Sequence, residues 1–138
     1  GFNTILKPEP WNRMTELASK PETTPAINEV FFSAQYPSPD SFFFSQYHSR
    51  AKGTWASMEW VLDDEIDSWI DEARGTGDVT AQNAIYKKIQ QKLTDTQSDV
   101  YLLTRTSQQA FSDCLQGFEW VPMMSFEYNF HNMKWVCN

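Results

Sequence analysis

The sequence predicts a fold of the α/β or α+β class, in which helices and strands mix. Three segments place apolar residues every three or four positions, which is the spacing of one helix face. Between and beyond them lie short runs of β-branched and aromatic residues, which are typical of buried strands. At 138 residues, of which 41% are hydrophobic, the chain is long enough to bury a real core.

The first part of the chain is predicted to hold a strand, a helix and a second strand. Residues 2–7 favour a short strand, which Pro8 and Pro10 end because proline removes backbone donors. Apolar residues at helical spacing predict a helix over roughly 10–19, and a loop rich in proline and threonine follows it. The apolar run at 29–34 predicts a buried strand.

A stiff loop and an aromatic segment follow this strand. Pro37 and Pro39 rule out regular ladder pairing over residues 35–41. Three consecutive phenylalanines, residues 42–44, cannot all face one way in either regular structure. At least one of them is therefore expected to pack against a second element or a partner.

The strongest helical signals lie in the middle of the chain. One apolar stripe predicts a helix with Asp63 or Asp64 as its N-cap and Gly75 at its end. That stripe consists of Leu62, Ile66, Trp69, Ile70 and Ala73. A further helix is expected after Asp78 or Thr80 as its cap. Its stripe consists of Ala81, Ile85, Ile89 and Leu93.

Strand signals return in the last third. Residues 100–103 (VYLL) predict another buried strand. Two sets of alternating residues on opposite phases come near the end: Phe126, Tyr128 and Phe130, then Met133, Trp135 and Cys137. A bulge or bend around His131 and Asn132 would reconcile the two phases.

Charge and motifs exclude several classes of function. The formal net charge is −7, and the 11 lysines and arginines are scattered instead of forming a basic stripe, so nucleic acid is not expected as a partner. No GxSxG, Walker, GxGxxG or HExxH motif occurs, so we predict that the protein is not an enzyme and assign no catalytic residue, metal ligand or cofactor. Cys114 and Cys137 match neither a zinc nor a redox motif, and either one disulfide or two buried thiols fit them.

Aromatic residues are the sharper functional signal. Ten Phe, six Trp and five Tyr are many for this length. Trp55 and Trp60 flank a tetrapeptide, and Phe32, Tyr36 and Tyr47 lie nearby in sequence. Such rings stack on sugars or grip apolar ligand groups, because they offer large area with few rotors to freeze. The alternative is that most of them fill the core.

Three stretches resemble, in order, the C-terminal portion of family 5 extracellular solute-binding proteins, the peptide, nickel and oligosaccharide receptors of ABC importers. Residues 31–42 (FFSAQYPSPDSF) resemble the family's aromatic strand end and its loop with Pro and Asp. Residues 66–93, with IDSWIDEAR and YKKIQQKL, are similar to its paired helices. Residues 99–103 (DVYLL), with Gly117 and Phe118 downstream, are like its strand and its GY/GF segment.

The resemblance implies a fold and a role. The fold would be α/β, part of the second lobe of a periplasmic-binding-protein type II-like fold, with a mixed sheet and flanking helices. Residues 1–125 would be the later half of that C-terminal ligand-binding lobe, and residues 126–138 a segment returning toward a first lobe that the chain lacks. Such a fragment would serve a receptor that captures an oligosaccharide or a peptide between two lobes for uptake.

The resemblance also implies partners and a location. The partners would be a small-molecule solute and, through the full-length receptor, the membrane permease of the importer. The location would be periplasmic or extracellular, with membrane association through the full-length precursor, and the isolated fragment is a candidate for self-association. The alternative is a self-contained structural or protein-interaction domain with an aromatic core.

The ligand-binding residues that the resemblance implies are Phe32, Gln35, Tyr36, Asp40 and Trp55. Peptide-binding members place an Asp before the Tyr of this loop, where it pairs with the free amino group, and this chain has Gln35 there. A neutral amide forms hydrogen bonds but does not neutralise an ammonium group, so a neutral ligand such as an oligosaccharide is favoured. Asp40 either supplies the missing charge or caps the loop or the segment that follows.

Overall fold

The structure is a computed structural model that describes residues 1, 3–104, 106, 108–121 and 128–137. In this part of the chain it has four α-helices, one short 3-10 helix and one two-stranded sheet. The elements in order are α1 (Trp11–Leu17), α2 (Asp40–Tyr47), the 3-10 helix (Ser49–Ala51), α3 (Asp64–Gly75), α4 (Val79–Thr96), β1 (Leu115–Gln116) and β2 (Lys134–Trp135).

Side-chain caps fix where α3 and α4 begin. The Asp63 carboxylate accepts hydrogen bonds from the backbone amides of Glu65 and Ile66, at 2.9 and 3.2 Å. The Asp78 carboxylate accepts from the amide of Ala81 at 2.7 Å. Each bond satisfies an amide that the first helical turn leaves without a partner. The predicted caps are confirmed, with Asp63 and Asp78 as the capping residue in each case.

The core lies between α2, α3 and α4. Its buried members are Phe43, Tyr47, Ile66, Ile70, Ala73, Tyr86, Ile89 and Leu93. The two predicted apolar stripes therefore face each other, and Ile70 and Ile89 are completely buried. Two residues depart from their predicted places in the stripes: Leu62 precedes α3 and is 59% exposed, and Ala81 is exposed near the start of α4.

The three consecutive phenylalanines lie in α2, a helix that the sequence did not predict. Successive residues of a helix point about 100° apart, so three in a row spread around the axis and give no single apolar face. Phe43 enters the core and stacks on Tyr86, with ring centroids 5.0 Å apart. Phe44 lies beneath the guanidinium of Arg74, which is 4.3 Å from the ring centroid. The expectation that at least one Phe packs against a second element is confirmed.

Three of the predicted strands are wrong. Residues 3–7, 29–34 and 100–103 pair with no strand among the residues described, and Phe2 lies outside them. Residues 100–103 are exposed as well as unpaired, with Tyr101 at 71%. An apolar run predicts burial in a sheet, yet a strand forms only where a second strand offers its backbone groups.

The small sheet is the part of the C-terminal pattern that forms. β1 and β2 pair in antiparallel fashion, with Leu115 opposite Trp135. A turn covers residues 130–132, which confirms the predicted bend at His131 and Asn132. Phe126 lies outside the described residues, as does the predicted division between residues 125 and 126. The mixed sheet of a receptor lobe stays a prediction beside this one antiparallel pair.

A disulfide closes the small sheet. Cys114 and Cys137 are bonded, with Cα atoms 4.9 Å apart, so the structure has the first of the two alternatives for these cysteines. The amide of Val136 donates to the Cys114 carbonyl at 2.8 Å. Gly117 adopts a φ of 81°, and a Cβ at this position would collide with the carbonyl of Asn132. Glycine is therefore required where the two segments cross.

Helix length and apolarity also bear on membrane insertion. Within the described ranges, none of the helices is both long and apolar enough to cross a bilayer.

Truncating the core should show that the α3–α4 contact holds the helices together. We expect Ile70→Ala to lower the free energy of unfolding by about 2–5 kcal/mol, because it leaves a cavity in a completely buried position. Urea denaturation followed by far-UV circular dichroism measures the change. Leu62→Ala is the control and should cost no more than about 0.5 kcal/mol. Equal losses in the two variants would contradict this account of the core.

Candidate ligand-binding site

Phe32 and Trp55, two residues of the predicted site, meet in an aromatic cluster. Their ring centroids are 5.4 Å apart. Phe42 lies 5.5 Å from Phe32, and Trp11 lies 5.2 Å from Trp55 in an edge-to-face arrangement. We call these four residues the aromatic cluster. It joins α1, the segment before α2, α2 itself and the loop after the 3-10 helix.

Exposure divides the aromatic cluster into an inner and an outer part. Phe32 and Trp55 are half-buried, whereas Trp11 is 57% and Phe42 36% exposed. The inner rings therefore hold the outer rings in place by edge and tilted contacts. An exposed, immobilised ring is the surface on which a sugar or another apolar ligand face stacks at low entropic cost.

Tyr36 and Asp40 form a second group, which is polar. The Tyr36 hydroxyl donates to Asp40 Oδ2 at 2.5 Å, and Arg74 Nε lies 3.3 Å from Asp40 Oδ1. Desolvation, with the hydrogen bond to Asp40, raises the pKa of Tyr36 to about 12. The phenol is thus a permanent donor at neutral pH. Asp40 is buried and its charge is already compensated by Arg74.

Gln35 contributes differently from the other predicted residues. Its backbone amide donates to the Ser41 hydroxyl at 2.8 Å, which ties the loop to the first turn of α2. Its side chain is exposed to solvent. The amide group is therefore accessible to a ligand, next to Tyr36 in the chain.

An open cavity of about 770 Å³ adjoins these groups. Ala34 and Pro37, the residues on either side of Gln35 and Tyr36, line it, and so does Phe42 of the aromatic cluster. Polar lining comes from Gln90 and Thr94 of α4, among others. Its size lies within the range of small-molecule sites, and its wall mixes apolar and hydrogen-bonding groups as such sites do.

Four of the five predicted residues therefore fall into two pairs on one scaffold, and Gln35 belongs to neither pair. Phe32 contacts Trp55, and Tyr36 contacts Asp40. α2 links the pairs, since Asp40 is its first residue and Phe42 belongs to the aromatic cluster. Sequence reasoning missed Trp11 and Phe42 as members of the site.

Two other aromatic residues that the sequence singled out lie elsewhere. Tyr47 is buried in the core, where its hydroxyl donates to Asp99 at 2.7 Å. Trp60 adopts a positive φ of 51°, and its indole N–H donates to the Thr24 hydroxyl at 2.9 Å. Both use their polar atoms within the protein, which favours a structural role for them.

Neither a metal site nor a related protein adds evidence about the candidate site. In the stretches of chain that the structure covers, no three His, Cys, Asp or Glu side chains group to hold a metal ion. Comparison of the chain with protein-family models, curated protein sequences and solved structures finds no match. The family resemblance therefore rests on the three stretches quoted above.

Removing Arg74 tests whether Asp40 is neutralised within the protein. We expect Arg74→Ala to lower the free energy of unfolding by about 1–3 kcal/mol, because a buried carboxylate loses its cation. Urea denaturation at neutral pH measures the loss. Arg13→Ala is a control in which an exposed pair with Glu16 is removed, and its unfolding midpoint should stay at the parent value. If the Arg74→Ala protein is as stable as its parent, Arg74 does not neutralise Asp40 in the way described here.

Proposed function

We propose that this chain is part of the C-terminal ligand-binding lobe of a family 5 solute-binding receptor of an ABC importer, and that it binds a neutral oligosaccharide. The observation that carries the proposal is the position of residues 32–42. This stretch resembles the family's ligand loop, and its residues border both the aromatic cluster and the cavity.

The ligand class follows from the charges at the loop. A peptide brings a free ammonium group, and burying that group without an anion costs several kcal/mol, on the order of the penalty for an unpaired ion. Asp40, the acidic residue of the loop, is already paired with Arg74 and accepts the Tyr36 hydroxyl. Gln35 is neutral and exposed. A sugar, with hydroxyls for Gln35 and a face for the rings, fits these groups better than a peptide.

Exposed apolar residues favour a piece of a larger receptor over a self-contained structural or interaction domain. Residues 100–103 are between 67% and 80% exposed, and Ile5 and Leu6 are more exposed still. A self-contained domain would bury such residues, and monomeric proteins rarely expose contiguous apolar stretches. The same surface makes the isolated chain a candidate for self-association. Uptake through a membrane permease, and a periplasmic or extracellular location, belong to the proposal through the full-length receptor.

Calorimetric titration of the full-length polypeptide that contains this chain tests the ligand class. We expect neutral trisaccharides such as maltotriose, cellotriose or chitotriose to bind, and trialanine to bind more weakly or not at all. Trp55→Ala should weaken sugar binding about tenfold, because the ring that holds the exposed Trp11 in place is lost. Trp135→Ala, which removes an exposed ring on β2, is the control and should leave the dissociation constant unchanged.

Gln35→Asp sharpens the same test. Introducing a carboxylate supplies the anion that an ammonium group requires, so trialanine should gain affinity while the trisaccharide loses it. The proposal fails if the parent protein binds trialanine tightly and Gln35→Ala leaves that binding intact.

A further inference from the structure

A hydroxyl in the core holds the segment that follows α4. Tyr47 of α2 is 3% exposed, and its hydroxyl donates to Asp99 Oδ2 at 2.7 Å. The hydroxyl of Tyr101 lies 3.0 Å from the hydroxyl oxygen of Tyr47. Because Tyr47 donates its single proton to Asp99, Tyr101 is the donor in the second bond. One core residue thus fixes two residues that lie more than 50 positions later in the chain.

Glu59 completes this group. Its Oε2 atom is buried and has no hydrogen-bond partner among the residues described. Asp99 faces it, and burial followed by the influence of Asp99 raises the pKa of Glu59 to about 7. Two ionised carboxylates have no hydrogen to share, whereas one proton lets Glu59 donate to Asp99.

The charged and titratable groups around Glu59 are few. Among the described residues, Asp99 is the charged group that acts on Glu59, and Tyr47 and Tyr101 face Asp99 in turn. Desolvation raises the pKa of Tyr47 far above neutrality, so its phenol stays a donor at any physiological pH. Glu59 is therefore the member whose charge changes near neutral pH.

The segment that Asp99 and Tyr101 belong to is otherwise loosely held. Val100, Leu102 and Leu103 are 80%, 71% and 67% exposed, and residues 100–103 join no strand among the residues described. Tyr47 and Tyr101 also line the cavity of about 770 Å³. A change in the hydrogen bonds of Asp99 is therefore expected to alter the wall of the cavity that Tyr47 and Tyr101 form.

We propose that Glu59, Asp99, Tyr47 and Tyr101 form a proton-dependent latch. While Glu59 is protonated, the latch holds residues 99–101 against α2 and closes one wall of the cavity. When Glu59 gives its proton to solvent, two carboxylates face each other, and the segment is released. The latch concerns contacts within this chain and stands whether or not the chain binds a sugar.

The raised pKa of Glu59 determines the direction of the pH effect. The pKa of Glu59 is about 7 in the closed state and 4.5 when solvated. The closed state is therefore favoured fully below about 4.5, and the advantage is lost as the pH rises through about 7. For these two values the opening equilibrium should increase roughly 70-fold between about pH 5 and about pH 8.

Hydrogen exchange of the Tyr47 hydroxyl proton, which is buried and donated to Asp99, measures the opening by NMR. After correction for the intrinsic pH dependence of exchange, the parent protein should lose protection roughly 70-fold over this range. Glu59→Gln should hold protection nearly constant, because its amide stays neutral and still donates to Asp99. Glu72→Gln, which neutralises an exposed carboxylate on α3, should behave as the parent does.

A second variant makes the test independent of how Glu59→Gln folds. Asp99→Asn removes the facing charge but leaves the burial of Glu59, which is the larger cause of its shifted pKa. The release should then persist with its midpoint moved below about 7. A parent protein without the loss of protection overturns the latch. So does an unchanged midpoint in Asp99→Asn, or a Glu59→Gln protein that follows the parent.

Discussion

The packing of α3 against α4 is the contact on which the rest of the structure depends. Ile66, Ile70 and Ala73 meet Ile89 and Leu93 in a fully apolar seam. At roughly 1.5–3 kcal/mol for each large apolar side chain that is fully buried, this seam supplies the main driving force for ordering the helices. Polar contacts beside this seam fix how α3 and α4 are aligned along each other.

Lysine and aspartate pairs illustrate how that register is set. Lys92 of α4 lies 2.6 Å from Asp63 and 2.7 Å from Glu65 at the start of α3. The pairing raises the pKa of Lys92 and lowers that of Asp63, which also caps α3. α2 then docks on the seam through Phe43, which stacks on Tyr86, and so carries the candidate site to its place.

Sequence reasoning succeeds where the residues within a segment are enough to determine its secondary structure. α3 and α4 have capping aspartates and a clear helical period, and both helices form as predicted. It fails for α2, because Phe43 and its two neighbours in the chain pack in three different environments. The apolar residues of this helix therefore do not recur at helical spacing. It also fails for residues 29–34 and 100–103, because an apolar run does not say which strand will pair with it.

The same distinction applies to the residues of the candidate site: some could be predicted from the local sequence, and others depend on how the helices pack. Phe32 and Trp55 were predicted from their type and loop position, and the structure brings them into contact. Trp11 could not be assigned to the site, since its place in a helical apolar pattern explains it equally well. The tie between Asp40 and Arg74 depends on the docking of α2 against α3, which no local pattern encodes. That ion pair matters most for the proposed function, because it leaves the loop without a free anion.

The most direct test of the account is whether the aromatic cluster is a sugar-binding surface. Two-dimensional NMR of the tryptophan indole N–H groups reports on all six Trp residues at once during a titration with neutral trisaccharides. The account predicts that the signals of Trp11 and Trp55 move and saturate, while that of Trp135 stays in place. It would be contradicted if no trisaccharide moved them, or if trialanine moved them and the sugars did not.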